Sequence, residues 1–263
     1  MQPYTGFAAV YDLFMDNVPY DEWADYVQLL LKQYGIEDGL LLELGCGTGS
    51  MTRRLANKGF DMIGIDNSDE MLSIAREKNS DSENTLYLCQ DMREFELYGT
   101  VKAVVSVCDS MNYILSEEDL LQVFKLVNNY LDPNGVFIFD LDTEYAYCEV
   151  LGDNTIAENR EEGSFIWENT YYEEEYMNEV NLTLFIPVNS ENEENSSSAL
   201  YHKYEETHYR KAYSIDRVKA LIEEAGMEWV AVYDALTEKK PKKDCERVYI
   251  IAREKRQQDK LYI

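Results

Sequence analysis

The stretch "LLELGCGTGS", residues 41–50, decides the fold. An apolar run meets three glycines at alternate positions, Gly45, Gly47 and Gly49. Glycine lets the main chain turn at positive φ and lets a ligand come close to the backbone. A plain tight turn between a strand and a helix needs only one such residue. Three of them point to a ligand loop. A dinucleotide fingerprint starting at Gly45 requires glycine at 50, where Ser50 stands. A Walker loop requires Lys and then Ser or Thr after the glycines, but Ser50, Met51, Thr52 and Arg53 follow. What remains is Glu43-x-Gly45-x-Gly47-x-Gly49, with a helix starting near Gly49 whose free N–H groups face the loop.

Outward from the loop, short apolar runs read as buried strands at Leu40–Leu44, Met62–Ile65, Leu86–Cys89, Ala103–Cys108 and Val136–Leu141. Helical spacing lies between them. "SMTRRLANKG" follows the glycines, "SDEMLSIAREK" takes Ser68 as its N-cap, and "SEEDLLQVFKLVNNYL" takes Ser116. The last must stop before Asp132-Pro133. Upstream, "YDEWADYVQLLLKQYG" is an amphipathic helix preceded by a lead-in that carries Tyr4 and Tyr11. Strand–helix alternation predicts an α/β fold, a mostly parallel sheet with helices on both faces.

After about Thr143 the pattern changes. "SFIWENTYYEEEYMNEVNLTLFIPV" and "ALYHKYEETHYRKAYS" alternate with period two and predict two or three antiparallel strands, joined through the polar stretch 189–198. Then Ser214 caps "IDRVKALIEEAG", and two closing strands follow. The expected organisation is a core over 1–143, an antiparallel β insertion acting as lid over 144–212, and a return to the core over 213–263.

The net charge of −27 repels a phosphate backbone, so nucleic-acid binding is not expected. It suits a cationic or amine substrate, although acidity serves solubility as well. Five cysteines without CxxC spacing read as reduced thiols of a cytoplasmic protein. No run is long enough to span a bilayer, so no membrane is expected. A homodimer is compatible with these totals.

The spelling Glu43-x-Gly45-x-Gly47-x-Gly49 resembles the first motif of class I S-adenosylmethionine (SAM)-dependent methyltransferases. The stretches "YTGFAAVYD", "CDSMNY" and "EETHYRKAYS" resemble the YqeM-like branch of bacterial methyltransferases, near the aminosugar N,N-dimethyltransferases. The resemblance implies a Rossmann-like methyltransferase fold with SAM as cofactor. The methionine end would lie along Glu43, Gly45, Cys46, Gly47 and Gly49, under Tyr4 and Tyr11. Asp66 would take the ribose hydroxyls, with Asn67 and Met71 near the adenine. Asp91 and Met92 would read the adenine edge, and Val107 and Cys108 would close the site beneath the sulfonium. Each residue has a plain structural alternative: Asp66 as a helix-start acid, Asp91 as a turn residue, Cys108 as core.

Methyl transfer is an in-line attack on a methyl already activated, so alignment and desolvation do most of the work and a base assists. Tyr11, Tyr113 and His208 are the candidate catalytic residues, with aromatic packing or a surface role as their alternative. His202 and His208 are an even number apart on one strand and share a face. With no acid or cysteine pattern of metal type beside them, no metal site is expected. Trp167, Tyr171 and Tyr172 are candidate lining residues of the lid. The expected reaction is methyl transfer to N, or O, of a small molecule, an amine being preferred. The alternatives are a protein that modifies or senses SAM without methylating, and an NAD-dependent oxidoreductase, which Ser50 disfavours.

Overall fold

The computed structural model describes residues 8–79, 84–188, 200–256, 260 and 262. Tyr4 and the stretch 189–198 lie outside them. A short helix, α1 (Ala8–Phe14), forms part of the lead-in, and α2 (Tyr20–Gln33) follows. Ala24, Val27, Leu30 and Leu31 of α2 are buried at helical spacing, which gives it one apolar face.

The core alternates β1 (Gly39–Leu44), α3 (Ser50–Asn57), β2 (Phe60–Asp66), α4 (Asp69–Lys78), β3 (Thr85–Cys89), β4 (Val101–Ser106), α5 (Glu117–Tyr130) and β5 (Leu131–Asp142). Each serine cap forms as its sequence requires. Ser68 Oγ accepts from Met71 N and Ser116 Oγ from Asp119 N. The chain closes with α6 (Ile215–Glu224), capped by Ser214, and two strands, β10 (Glu228–Asp234) and β11 (Arg247–Arg253).

The seven core strands run in the order β10-β11-β5-β4-β1-β2-β3. β1 to β5 pair parallel, whereas β11 lies antiparallel to both β5 and β10. Alternation along β1 sends Leu42 and Leu44 to the face covered by α5 and α6, and Leu41 to the face covered by α2 and α3. Glu43 shares Leu41's face and meets Thr52 of α3. The order turns back on itself between β1 and β4. In open α/β sheets the crevice at such a switch point binds the ligand.

Between β5 and α6 the chain makes a π-helical turn (Ala146–Leu151). It then forms a four-stranded antiparallel sheet of β6 (Thr155–Asn159), β7 (Ser164–Tyr172), β8 (Met177–Pro187) and β9 (Tyr201–Lys211). The period-two reading missed β6, which is short and mostly exposed and so carries no alternation. Phe14 of α1 packs edge-on against Phe165 of β7 at 4.9 Å, within a small cluster that includes Leu182 and Leu184. Arg160, after β6, donates to Leu13 O and to both oxygens of Asp16. The lead-in is thereby fastened to the second sheet. No helix among the described residues is long and apolar enough to cross a membrane.

Candidate active site

Gly45 N and Cys46 N both donate to Ile65 O of β2, which pins the glycine loop over the sheet edge. Gly47 follows at φ 52, with open space where a Cβ would stand. Its N–H donates to Asp66 Oδ2 at 2.8 Å, and Ser68 N donates to Asp66 Oδ1 at 2.9 Å. Each oxygen of Asp66 thus has one main-chain donor and a lone pair left for a ligand. Burial pushes the Asp66 carboxyl up, against those two donors. Gly49, at φ 74, caps α3 without a side chain and leaves the first N–H groups of that helix open.

A cavity of about 420 Å³ opens between the loop, the ends of β2 and β3, and the turn after β4. Among the expected residues, Tyr11, Glu43, Gly45, Cys46, Gly47, Asp66, Asn67, Met71, Asp91, Met92, Val107, Cys108 and Tyr113 line it. Gly49 does not. A Cβ there would meet the Tyr87 hydroxyl at 2.4 Å, so its bareness serves packing behind the loop. Glu43 is 2% exposed, accepts from Thr52 Oγ1 and is pushed up to about 8, chiefly by burial. Asp91 is gripped by Arg93 through Nε and Nη2, which holds its carboxyl below the usual range. Tyr20, Thr48, Ser50, Gln90, Arg93 and Ser110 also line the cavity without having been expected. Asp12 of α1 accepts from Thr48 Oγ1 at 2.7 Å and pairs with Lys78 of α4, so α1 is tied to the loop as well as to the second sheet.

The turn after β4 corrects the sequence reading. β4 ends at Ser106, two residues before Cys108. Cys108 (φ 62) and Asp109 (φ 52) both lie in the left-handed region, which a strand cannot continue through. Each such non-glycine residue costs roughly 1–3 kcal/mol and persists only where its surroundings fix it. Asp140 of β5 does so. Its two oxygens accept from Cys108 N at 3.0 Å and Asp109 N at 2.9 Å. Burial raises the Cys108 thiol well above its ordinary value and keeps it neutral.

Around this turn stands a buried charge network that sequence reading missed. Arg247 of β11 donates to Asp109, Asp140 and Asp142 at 3.1, 3.1 and 2.8 Å. Arg210 of β9 donates to Asp109 Oδ2 at 2.8 Å. Burial alone would lower both arginines. Asp140 and the other acids hold Arg247 well above its ordinary value, and Asp109 with its neighbours does the same for Arg210. Asp140, fully buried, is pushed up to about 7, with Arg247 opposing the rise.

A second cavity, about 60 Å³, adjoins the first. It is lined by Tyr11, Met15, Cys108, Asp109, Tyr113, Trp167, His208 and Arg210, so Tyr11, Cys108 and Tyr113 belong to both. The three candidate catalytic residues therefore meet at one junction. His208 is buried, whereas His202, on the same face of β9, is exposed. The covered part of that face begins only after His202. Of the three aromatics expected in the lid lining, only Trp167 reaches this cavity. Tyr172 points the other way and is exposed, as alternation requires.

The residues present fit SAM. The cavity has the size of a small-molecule site. Asp66 keeps lone pairs for two hydroxyls, the open start of α3 can receive a carboxylate, and Glu43, Asp66 and Asp91 suit a ligand with ammonium and sulfonium charges. When bound, SAM supplies the activated methyl.

A family model described as a methyltransferase domain matches residues 41–135. The chain is 35% identical over 250 residues to the putative methyltransferase YqeM of Bacillus subtilis (strain 168), spanning 95% of this chain and 96% of that one. It is 28% identical to a crystallographically determined S-adenosylmethionine-dependent methyltransferase from Clostridium acetobutylicum ATCC 824, with a TM-score of 0.82 and coverage of 96% and 99%. Over 135 residues, 51% of this chain and 56% of the relative, it is 32% identical to the dTDP-3-amino-3,4,6-trideoxy-alpha-D-glucopyranose N,N-dimethyltransferase of Streptomyces venezuelae. The glycine loop, the Asp66 cradle and these likenesses agree: the chain belongs to the class I SAM-dependent methyltransferases and is an enzyme of the YqeM branch.

Proposed function

We propose that the enzyme methylates a nitrogen, or secondarily an oxygen, of a small polar molecule seated between the cofactor cavity and the antiparallel sheet. One observation carries this reading. Buried polar atoms without a partner lie on the wall of the small cavity beneath that sheet: Trp167 Nε1, and Nε and Nη2 of Arg210. Buried polar groups are normally satisfied, so a cluster of unmet donors marks a place built for a polar guest. The preference for nitrogen has two supports. The net charge of −27 favours a cationic or amine substrate. The Streptomyces relative is named for N,N-dimethyl transfer to an amino sugar. Five free thiols support residence in the reducing cytoplasm.

The test combines binding and turnover. Isothermal titration should show SAM and S-adenosylhomocysteine binding, with at least ~100-fold loss in Asp66→Ala, equivalent to about 2.7 kcal/mol. Amines, amino sugars and hydroxyl compounds are then incubated with SAM, and S-adenosylhomocysteine release and a mass gain of one methyl are followed. Methylation of an amine supports the reading. Tight SAM binding with no methyl transfer to any amine or hydroxyl would favour a protein that modifies or senses the cofactor.

A further inference from the structure

Glu206 and His208 are two apart on β9, so both project from the same face of the second sheet toward the core. They are 5% and 3% exposed. His208 Nε2 lies 3.3 Å from Glu206 Oε2, and His208 Nδ1 lies 3.3 Å from Tyr113 Oη, with the two rings edge-to-face at 6.0 Å. Tyr113 closes the 3-10 turn behind Cys108, 95 residues away in sequence, and lines both cavities. A carboxylate, an imidazole and a phenol thus run in line from beneath the second sheet to the junction. Arg210, Asp109, Cys108 and Tyr11 are the other titratable or charged groups sharing the small cavity with His208.

The chemistry of such a line is set by the acid. A buried carboxylate on one ring nitrogen holds the proton there, which leaves the other nitrogen bare. Nε2–H then lies within charge-pairing distance of Glu206 Oε2, Nδ1 accepts from the Tyr113 hydroxyl, and the phenol oxygen keeps its lone pairs for the junction. We propose that Tyr113 takes the proton released by the methyl acceptor and passes its own to His208, with Glu206 as the positioning residue behind them. The proposal rests on the reading that the acceptor is an N–H or O–H compound at this junction. The acceptor's lone pair forms the new N–C or O–C bond, and the S–C bond breaks with its pair left on sulfur. The acceptor's proton moves to Tyr113 Oη as the phenol proton moves to His208 Nδ1. The positive charge lost at sulfur reappears on an imidazolium next to Glu206. This is the base-and-orienter arrangement of a catalytic triad, with a phenol at the working end. Separations of 3.3 Å are of the kind that tighten when substrate binds.

The chain has only two histidines, and exposed His202 serves as an internal reference. Long-range 1H–15N spectra of the ligand-free full chain should show His208 as the Nε2–H tautomer. In Tyr113→Phe the Nδ1 resonance should move while that of His202 stays. An Nδ1–H tautomer, or an Nδ1 resonance indifferent to Tyr113→Phe, overturns the proposal. On an acceptor found in the panel above, Tyr113→Phe should lower kcat about 100-fold, within the usual range for proton transfer by a positioned group, and leave KM little changed. Glu206→Gln should lower kcat less, and Glu206→Asp should restore part of it. Unchanged kcat in Tyr113→Phe also overturns the proposal. If no panel compound turns over, the acceptor reading fails and the spectra alone decide the tautomer line. Unaltered SAM binding by Tyr113→Phe separates either failure from loss of the cofactor site.

Discussion

On the sheet side the cavity is bounded by main-chain features that local sequence builds: the glycine loop, the start of α3, and the amides that fix Asp66. On the other side the wall is made of side chains, buried Arg210 and His208 with half-buried Asp109, Tyr113 and Trp167, several of them held by one another across the fold. The first wall is specified within ten or twenty residues of sequence. The second needs partners 101 and 138 residues away, Arg210 with Asp109 and Arg247 with Asp109. A cofactor common to a family needs only the first kind of wall. A particular acceptor needs donors and acceptors placed individually, which side chains supply.

The largest expected effect tests the second wall. Arg247 bridges three carboxyls and lies over the Trp23 ring at 5.0 Å. Arg247→Met keeps much of the stem and removes the charge. Leaving buried carboxylates without their partner costs about 3–5 kcal/mol, or a fall in Tm of roughly 10 °C for a chain of this size. The loss depends on pH. Asp140 has its folded pKa raised to about 7, so the stability it contributes is full below its unfolded value of 3.8 and is lost as pH rises through about 7. Arg247 limits that loss. Thermal unfolding of the variant should therefore fall furthest behind wild type above pH 7, and less so at pH 5. A deficit under ~1 kcal/mol would break the comparison, because the wall would then stand without its network.

The next effect separates two roles within the main-chain wall. Gly49 (φ 74) and Gly47 (φ 52) share the left-handed region, but only at Gly49 does a Cβ meet a neighbour, the Tyr87 hydroxyl at 2.4 Å and Ala75 Cβ at 3.2 Å. Gly47→Ala should cost about 1 kcal/mol, the backbone penalty alone. Gly49→Ala should cost about 2–3 kcal/mol, because Tyr87 must also move. Urea denaturation measures both. Equal losses would mean that close packing behind the loop adds nothing.

These two walls also explain what the sequence made legible. Asp66, the serine caps at Ser68, Ser116 and Ser214, and the strand–helix alternation are local patterns with local causes, and each was readable. Nothing in "VVSVCDSMNY" announces two consecutive residues at positive φ, because their cause, Asp140, lies on another strand. Alternation gave His202 and His208 the same face, but where the cover over that face begins depends on packing distant in sequence. Glu206 carried no signal beyond its even spacing from His208, since its role needs Tyr113 from the core.

The smallest effect belongs to Glu43, the place where the sheet-side wall also relies on a buried side chain. Its folded pKa, pushed up to about 8 chiefly by burial, lies above the ordinary carboxyl value of 4.5. Its contribution to stability is thus fully present below pH 4.5 and is lost as pH rises through about 8. Gln mimics the protonated form and can still accept from Thr52 Oγ1, but it brings an amide N–H₂ with no partner in that position. The orphaned amide costs about 1–3 kcal/mol at any pH. The charge penalty that Gln avoids is of order 1.4 kcal/mol per unit of raised pKa and accumulates as pH rises from 4.5 to about 8. At pH 5 the amide cost is the larger of the two and at pH 9 the smaller, so the Tm curves of Glu43→Gln and wild type should cross. The variant should be lower at pH 5 by about 1 kcal/mol and higher at pH 9. A constant offset between the two pH values would mean that Glu43 does not titrate there. Titration with SAM should run the other way, with affinity falling in the variant. SAM carries an ammonium and a sulfonium against one carboxylate, and that net positive charge beside Glu43 favours the ionised form that burial alone disfavours.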